Sequence, residues 1–276
     1  MEYPPYSVLM SVYKKENPNW FKIALDSMLA QTVKPAEIVL VEDGPLTKAL
    51  YNVIEEYKTK YKNLFKIVPL KENQGLGLAL QQGILACNNE YIARMDTDDY
   101  CVKERCSLEL NEFIKDPELD IVGCFENEFA GEDLTQSFSC HKVPETDAEI
   151  KKFMRRRCGL LHPTVIYKKS AVLKAGNYRH YPLFEDYDLF LRMVESGAKT
   201  YNIQKSLYYL RVNPNLFKRR GGYAYMKTCV SFKYALYKKG FSSFMDFTVS
   251  AFGQALVCLM PNFMRTLFYK KFLRRE

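Results

Sequence analysis

The sequence predicts an α/β domain on a mainly parallel sheet with helices on both faces, extended by C-terminal helices. Three observations carry this. Apolar runs alternate with amphipathic stretches through the first hundred residues, and strands alternating with helices imply a parallel sheet covered on both sides. Tyr13, Asp43 and Asp96 each fall where an apolar run ends, and ligands in such sheets bind at the carboxyl ends of strands. The run opening at Tyr91 leads into Asp96, Asp98 and Asp99, carboxylates that repel one another unless something positive sits among them.

The elements follow in order. Residues 7–13 read as a buried first strand, and Lys14, Lys15 and Glu16 as the loop after it. Asn17 caps a helix with Pro18 at its first position, and Phe21, Ala24, Leu25, Met28 and Leu29 recur at helical spacing. Residues 37–41 form a second strand that stops at Glu42-Asp43-Gly44-Pro45. Leu50, Val53, Ile54 and Tyr57 share one face of a second helix. Residues 65–70 form a third strand, weakened by Pro69. Gly75 and Gly77 open a third helix that runs to about Ala86, and the acidic strand comes next.

The second half is less regular. A helix is expected over 103–115, a strand over 119–125, and a long loop or hairpin from there to Asp147. Ile150, Phe153 and Met154 mark a short helix expected to carry Arg155, Arg156 and Arg157. Residues 162–167 read as a strand and 171–174 as a short helix ended by Gly176. Glu185, Asp186 and Asp188 open a helix with Leu189, Met193 and Val194 buried, and two short strands follow near Thr200 and Leu207.

Composition bounds the function. At 276 residues with 47% hydrophobic and 26% charged residues, the chain has ordinary globular make-up. A net charge of +8 favours anionic partners. The opening residues carry neither a basic n-region nor an apolar stretch, so no signal peptide is expected. The eight cysteines form no CxxC pair and no zinc-type grouping, which suits reduced thiols in a cytoplasmic protein.

The acidic cluster has a bland reading, a solvated turn capping the next helix, and a sharp one, a divalent cation held by oxygens beside substrate phosphates. Gly75-x-Gly77 lacks the third glycine of a dinucleotide fingerprint, because Leu80 stands there; its glycines allow tight turning and close approach to a ligand. Acidic residues at 185 and 186 suit a helix start, but three within four positions suggest a site carboxylate that could act as general base. His162 reads equally as a structural histidine or a ligand. Arg211 and the 155–157 run read as a solvated face or a phosphate contact.

Five motifs in order carry a family resemblance: residues 7–13, Val41-Glu-Asp-Gly44, Asn73-Gln-Gly-Leu-Gly77, Arg94-Met-Asp-Thr-Asp-Asp99 and Glu185-Asp-Tyr-Asp188. With them the chain resembles the inverting family 2 glycosyltransferases of the GT-A fold, above all bacterial enzymes of O-antigen, capsule and exopolysaccharide assembly. The resemblance implies a catalytic domain over 1–212, with 1–100 the nucleotide-binding half and 101–212 the acceptor half. It implies that Ser11, Tyr13, Glu16, Asp43, Gly75, Arg94 and Asp96 bind the donor nucleotide, with Asp43 on the base. Asp96 and Asp98 match the DxD that holds Mn²⁺ or Mg²⁺. Asp186, beside Glu185, matches the catalytic base. His162 and Arg211 are candidate acceptor or phosphate contacts. Pro45 departs from the usual Ser of the base-binding loop, and the Gln-x-x-Arg-Trp motif of processive synthases is missing, which implies transfer of one sugar.

Two other readings compete. A nucleotidyltransferase would want a glycine-rich loop after the first strand, where this chain has Lys14-Lys-Glu-Asn17. A binding adaptor with a dead site would not need Asp96, Asp98 and Asp186 together. Residues 241–260 are apolar but interrupted by Asp246, Gln254 and several Ser and Gly, which argues against a membrane span. Phe263, Met264, Leu267, Phe268 and Phe272 alternate with Arg265, Lys270, Lys271, Arg274 and Arg275, a mixture that suits a helix in an anionic membrane interface. The segment 213–276 is therefore expected to be a basic, amphipathic, membrane-associating extension at the inner face of the cell membrane. The expected partners are a nucleotide-sugar, a saccharide or lipid-diphosphate-linked acceptor and the membrane surface, with no nucleic acid.

Overall fold

A computed structural model describes residues 2–131, 137–212, 221–261 and 264. Strand β1 (Tyr6–Val12) leads to α1 (Pro18–Leu29), whose Asn17 side chain accepts from the Asn19 and Trp20 amides. Then come β2 (Glu37–Glu42), α2 (Lys48–Lys60), β3 (Phe65–Pro69), α3 (Leu76–Ala86) and β4 (Tyr91–Arg94). All pairings among these strands are parallel, in the order β3-β2-β1-β4. Pro69 is tolerated because β3 is the edge strand.

The apolar runs are buried on both faces, as parallel strands under two helix layers require. Val8, Met10, Ile38 and Leu40 pack with Phe21, Leu25, Leu50 and Ile54 of α1 and α2. Their neighbours Leu9, Val39 and Val41 point the other way and pack with Ala79, Leu80 and Ile84 of α3.

The second half departs from a mainly parallel sheet. It contains β5 (Tyr100–Cys101), α4 (Arg105–Lys115), β6 (Leu119–Phe129), β7 (Ser137–His141), α5 (Asp147–Phe153), β8 (Ile166–Lys168), α6 (Lys169–Lys174), α7 (Glu185–Glu195) and β9 (Lys199–Arg211). β8 pairs antiparallel with both β4 and β6, and β5 with β9, whereas β6 and β9 run parallel. The sheet is thus mixed, ordered β3-β2-β1-β4-β8-β6-β9-β5, with β7 on β6.

Several local expectations are corrected. Pro163 lacks an amide donor, so His162–Thr164 forms a 3₁₀ turn and only Ile166–Lys168 is strand. The two short strands near 200 and 207 are one long β9, whose ladder to β6 shifts register near Phe125. Arg155–157 lie in turns after α5 rather than on it. The polar stretch after β6 resolves as the β6–β7 hairpin.

Two C-terminal helices follow, α8 (Tyr223–Lys238) and α9 (Phe244–Leu259). The boundary at 213 does not separate them from the catalytic core, because Phe232 and Leu236 of α8 join the same apolar cluster as α3 and α7. The mixed basic and apolar tail after Pro261 lies, Met264 excepted, outside the described residues. No helix among the described residues is long and apolar enough to cross a membrane.

Candidate active site

β4 delivers Arg94 and the acidic loop to the carboxyl end of the parallel strands. The back of that loop is pinned. Asp99 accepts from the Tyr208 hydroxyl at 2.8 Å and from the Arg211 amide at 2.7 Å. The Arg211 Nε donates to the Asp98 carbonyl at 2.7 Å, and its guanidinium lies between the rings of Trp20 and Phe129. Thr97 donates to Glu16 at 2.7 Å, and Glu16 in turn accepts from the Asn17 amide at 2.8 Å. The Ser11 carbonyl also accepts from the Thr97 hydroxyl. Glu16 thus ties the loop after β1 to the acidic loop.

With Asp99 committed behind, Asp96 and Asp98 form the front. One oxygen from each of Asp96, Asp98 and Asp99 lies within 4.8 Å of the others. Burial, then the charges of Asp96 and Glu16, pushes the Asp98 carboxyl up to about 7. Burial, with Asp98 and Asp96 adding, pushes Asp99 well above the usual carboxylate range. Arg94 is the counter-charge. Its guanidinium is 1% exposed, with Nη1 2.5 Å from an Asp96 oxygen. Its Nε finds no hydrogen-bond acceptor among the described residues, which leaves one buried donor uncommitted. An all-oxygen cluster of crowded, like-charged carboxylates fits a hard divalent cation such as Mn²⁺ or Mg²⁺, with Asp96 and Asp98 as the residues to hold it.

A second loop lies at the end of β2. Both Asp43 oxygens are engaged: Oδ1 accepts from the Gln74 amide at 2.7 Å, and Oδ2 from Asn73 Nδ2 at 2.8 Å and the Gly75 amide at 3.1 Å. Asp43 therefore sits at the strand end, and its carboxylate holds the Asn73–Gly75 turn in place beside it. Gly44 makes this possible, since its φ is +82° and a Cβ there would meet the Asn73 nitrogen at 2.5 Å. Tyr13, just past β1, is exposed beside this edge.

The third component is the start of α7. Glu185 and Asp186 occupy its first turn, where carboxylates are favoured, and Phe184 at the cap position supplies no side-chain hydrogen bond. Burial, then the neighbouring Asp186, pushes the Glu185 carboxyl up to about 7, while Arg94 acts in the opposite direction. Gly77 lets α3 press against this turn: a Cβ would lie 2.6 Å from the Arg179 carbonyl and 3.1 Å from Glu185 Cβ. The close approach expected of this glycine is thus to the Glu185 turn. Aromatic packing fixes the turn from outside. Phe232 of α8 stacks on Phe184 at 4.2 Å between centroids, with Tyr187 at 5.1 Å and Tyr181 at 5.2 Å.

Comparison with known proteins agrees with this geometry. The family profile described as "Glycosyl transferase family 2" matches residues 7–180. The chain belongs to glycosyl transferase family 2. An uncharacterized glycosyltransferase of Haemophilus influenzae is 37% identical over 273 residues, 98% of this chain and 99% of that one. A UDP-Gal:alpha-D-GlcNAc-diphosphoundecaprenol beta-1,3-galactosyltransferase of Escherichia coli is 32% identical, covering 99% of this chain and 98% of that one. An amylovoran biosynthesis glycosyltransferase of Erwinia amylovora is 34% identical, covering 96% and 98%. In fold, the glycosyltransferase resembles S. aureus TarS 1-349 in complex with UDP-GlcNAc at TM-score 0.63 and 19% identity, over 82% of this chain and 65% of that one. It also resembles a Pyrobaculum calidifontis mannosyltransferase solved with GDP-Man and Mn²⁺, at TM-score 0.64 and 12% identity, over 92% and 70%. The α/β architecture with C-terminal helices is the GT-A fold.

Other residues of this glycosyltransferase lie elsewhere than expected. His162 is buried, its Nε2 2.8 Å from the Tyr178 hydroxyl, and burial, then Arg94, holds its pKa well below the usual histidine value. Burial and the Tyr178 bond suit the structural reading of His162. Arg211 is the buried clasp of the acidic loop. Asp188, counted with the acidic start of α7, pairs with Arg192 at 2.8 Å. Arg156 pairs with Asp246 of α9 at 2.6 Å. Sequence reasoning missed Thr97, Tyr208 and Phe232 as supports of the site. Thr97 stood in plain view inside the acidic motif, but Tyr208 and Phe232 needed the topology.

Proposed function

We propose that this glycosyltransferase transfers one sugar from a nucleotide-diphospho-sugar, a UDP-sugar, to a hydroxyl of a saccharide on a lipid diphosphate, with inversion at the anomeric carbon. The carrying observation is that Arg94 pairs with Asp96 while its charge also acts on Glu185 at the start of α7, so the acidic loop and the Glu185–Asp186 turn share one buried counter-charge. The full-length likeness to a galactosyltransferase whose printed substrates are UDP-Gal and a diphosphoundecaprenol-linked sugar supports the donor and acceptor classes.

On this reading the residues take the following roles. Asp96 and Asp98 would hold a Mn²⁺ or Mg²⁺ ion, which when bound would neutralise charge developing on the leaving diphosphate. Arg94 adds a fixed positive charge, and its uncommitted Nε suits a phosphate oxygen. Asp43, through the Asn73–Gly75 turn, shapes the nucleotide pocket together with Ser11 and Tyr13. Asp186 removes the proton from the acceptor hydroxyl, whose oxygen attacks the anomeric carbon from the face opposite the diphosphate. Glu185, held next to both Asp186 and Arg94, keeps the base turn within the field of the donor site. A lipid-linked acceptor would be met at the inner face of the cell membrane, and the proposal puts the enzyme's work there.

The loop after β1 has no glycine, so it lacks the phosphate-cradling feature of the nucleotidyltransferase reading. The test is a panel of sugar nucleotides offered with a synthetic lipid-diphosphate saccharide and Mn²⁺ or Mg²⁺. The product's anomeric configuration is then read by NMR. A β-linked product from an α-linked UDP-sugar is expected. A retained configuration, or transfer of the nucleotidyl group, would contradict the proposal.

A further inference from the structure

We propose that the outward face of α9 is a bilayer-docking surface for anionic lipid. It rests on the lipid-linked-acceptor reading above, and it concerns a part of the molecule that the sugar-transfer chemistry does not use.

Met245, Val249, Phe252, Leu256 and Leu259 follow one another at steps of four and three residues. At 3.6 residues per turn they fall within an arc of roughly 80°. All five are between 46% and 71% exposed. Phe244 extends the stripe at its start and is equally open. Such a row of large apolar side chains on one helix marks an interaction site.

The rest of α9 is turned inward. Its Phe247 meets the Tyr234 and Tyr237 rings of α8, both at 5.7 Å between centroids. Asp246, the helix's single charged residue, is buried and paired with Arg156, and it also closes the capping box of Ser243. The outer face therefore carries no charge that would oppose entry into the acyl region.

Charge selects the occupant. The Gly222 amide donates to the Cys258 carbonyl at 3.0 Å, so α8 begins where α9 ends. The sequences adjoining that end are Lys218-Arg219-Arg220 and residues 262–276, which hold Arg265, Lys270, Lys271, Arg274 and Arg275 against a single acidic residue, Glu276. An apolar helix face whose neighbouring sequence is this basic matches an anionic bilayer surface, to which Lys and Arg near the headgroups add attraction. A second copy packed in the same direction would bring like charges together at that end. The stripe's flanks hold no opposite charges of the kind that pair helices across a seam. Because α8 also plugs Phe232 into the aromatic nest around Glu185 and Asp186, a docked hairpin holds the base turn at the surface where a lipid-linked acceptor resides.

The experiment compares the full chain with Phe252→Glu/Leu256→Glu by co-sedimentation with vesicles. One set is phosphatidylcholine alone; the other contains about one third phosphatidylglycerol. Phe252→Ser serves as a milder second variant. All proteins are checked for unchanged melting and unchanged UDP-sugar hydrolysis. The wild type should pellet with the anionic vesicles. The double variant should bind at least about tenfold more weakly, and Phe252→Ser should lie between them. Equal binding by wild type and double variant would overturn the proposal in favour of the basic tail alone. A wild type that ignores vesicles but sediments as a dimer, which the double variant dissolves, would overturn it in favour of a second copy. If stripe-dependent binding holds while no lipid-diphosphate saccharide accepts sugar, the docking surface stands and the acceptor reading falls.

Discussion

The proposed donor side and the proposed base side of this site are built by different physics. Around the donor, the supports are hydrogen bonds between motifs: Asp43 to the Asn73–Gly75 turn, Glu16 to Thr97, and Asp99 to Tyr208 and Arg211. Around the base, the supports are packing: Phe184, Tyr187 and Tyr181 close on Phe232 from the C-terminal hairpin. Polar loops anchored at the ends of parallel strands hold charges in place where a diphosphate must be gripped. A turn held by rings can be displaced by events at the hairpin. The two functions should therefore fail separately when either set of supports is removed.

The sharpest break is Asp186→Asn. Turnover should fall by roughly 10²–10⁴, the range for loss of a general base. Donor affinity measured by calorimetry should stay near wild type. A collapse of donor affinity with turnover preserved at saturation would move Asp186 to the donor side.

Phe232→Ala probes the packing arm. Removing a buried aromatic ring costs about 3–5 kcal/mol of stability. A misplaced base turn should also lower kcat by up to about 10², with donor affinity held. Phe232→Leu should recover most of kcat. If donor affinity and kcat drop in parallel, the ring supports the whole domain and not the base turn.

Asp43→Ala probes the polar arm. Loss of the hydrogen bonds to Asn73, Gln74 and Gly75 should weaken donor binding by about tenfold, since bonds to a charged group contribute about 1.5–3 kcal/mol. The cation requirement should not change. A variant with wild-type affinity for every nucleotide would remove this loop from the site.

The smallest effect is on pH dependence. Glu185 and Asp98 both have carboxyls raised to about 7, from an ordinary value near 4. A raised folded-state value means their contribution to stability is complete below about pH 4 and is lost as pH rises through about 7. Without a divalent cation, the melting temperature should fall by a few degrees between about pH 5 and pH 8 on this account. Mn²⁺ should restore it more at the alkaline end. A flat profile that Mn²⁺ leaves unmoved would show that these carboxylates are not crowded.

The parallel half was legible because its signals are local. Continuous apolar runs such as Val8 to Met10, with Asn17-Pro18 and the glycines between them, name their own strands and turns. The strand-end positions of Asp43 and Asp96 then follow from topology. The other half hid its order in pairings between distant residues. β5 has only two residues and no pattern of its own. Polar Gln204, Lys205 and Ser206 break the apolar pattern of β9, so one strand read as two. Tyr208 reaches Asp99 only because β9 pairs with β5 across more than a hundred residues. An aromatic at 232 on a helical face announces burial, but nothing local tells that its neighbours are the rings around the base. His162 reads equally as a ligand or a structural residue in the sequence because a histidine carries no sign of its own burial.

The central claim is that Asp96 and Asp98 serve the donor while Asp186 serves the acceptor. Calorimetric titration of the preferred UDP-sugar into wild type, Asp98→Asn and Asp186→Asn, each with and without Mn²⁺, tests it most directly. The account predicts Mn²⁺-dependent binding by wild type and Asp186→Asn alike, and its loss in Asp98→Asn. Wild-type, Mn²⁺-dependent binding by Asp98→Asn, or its loss in Asp186→Asn, would contradict it.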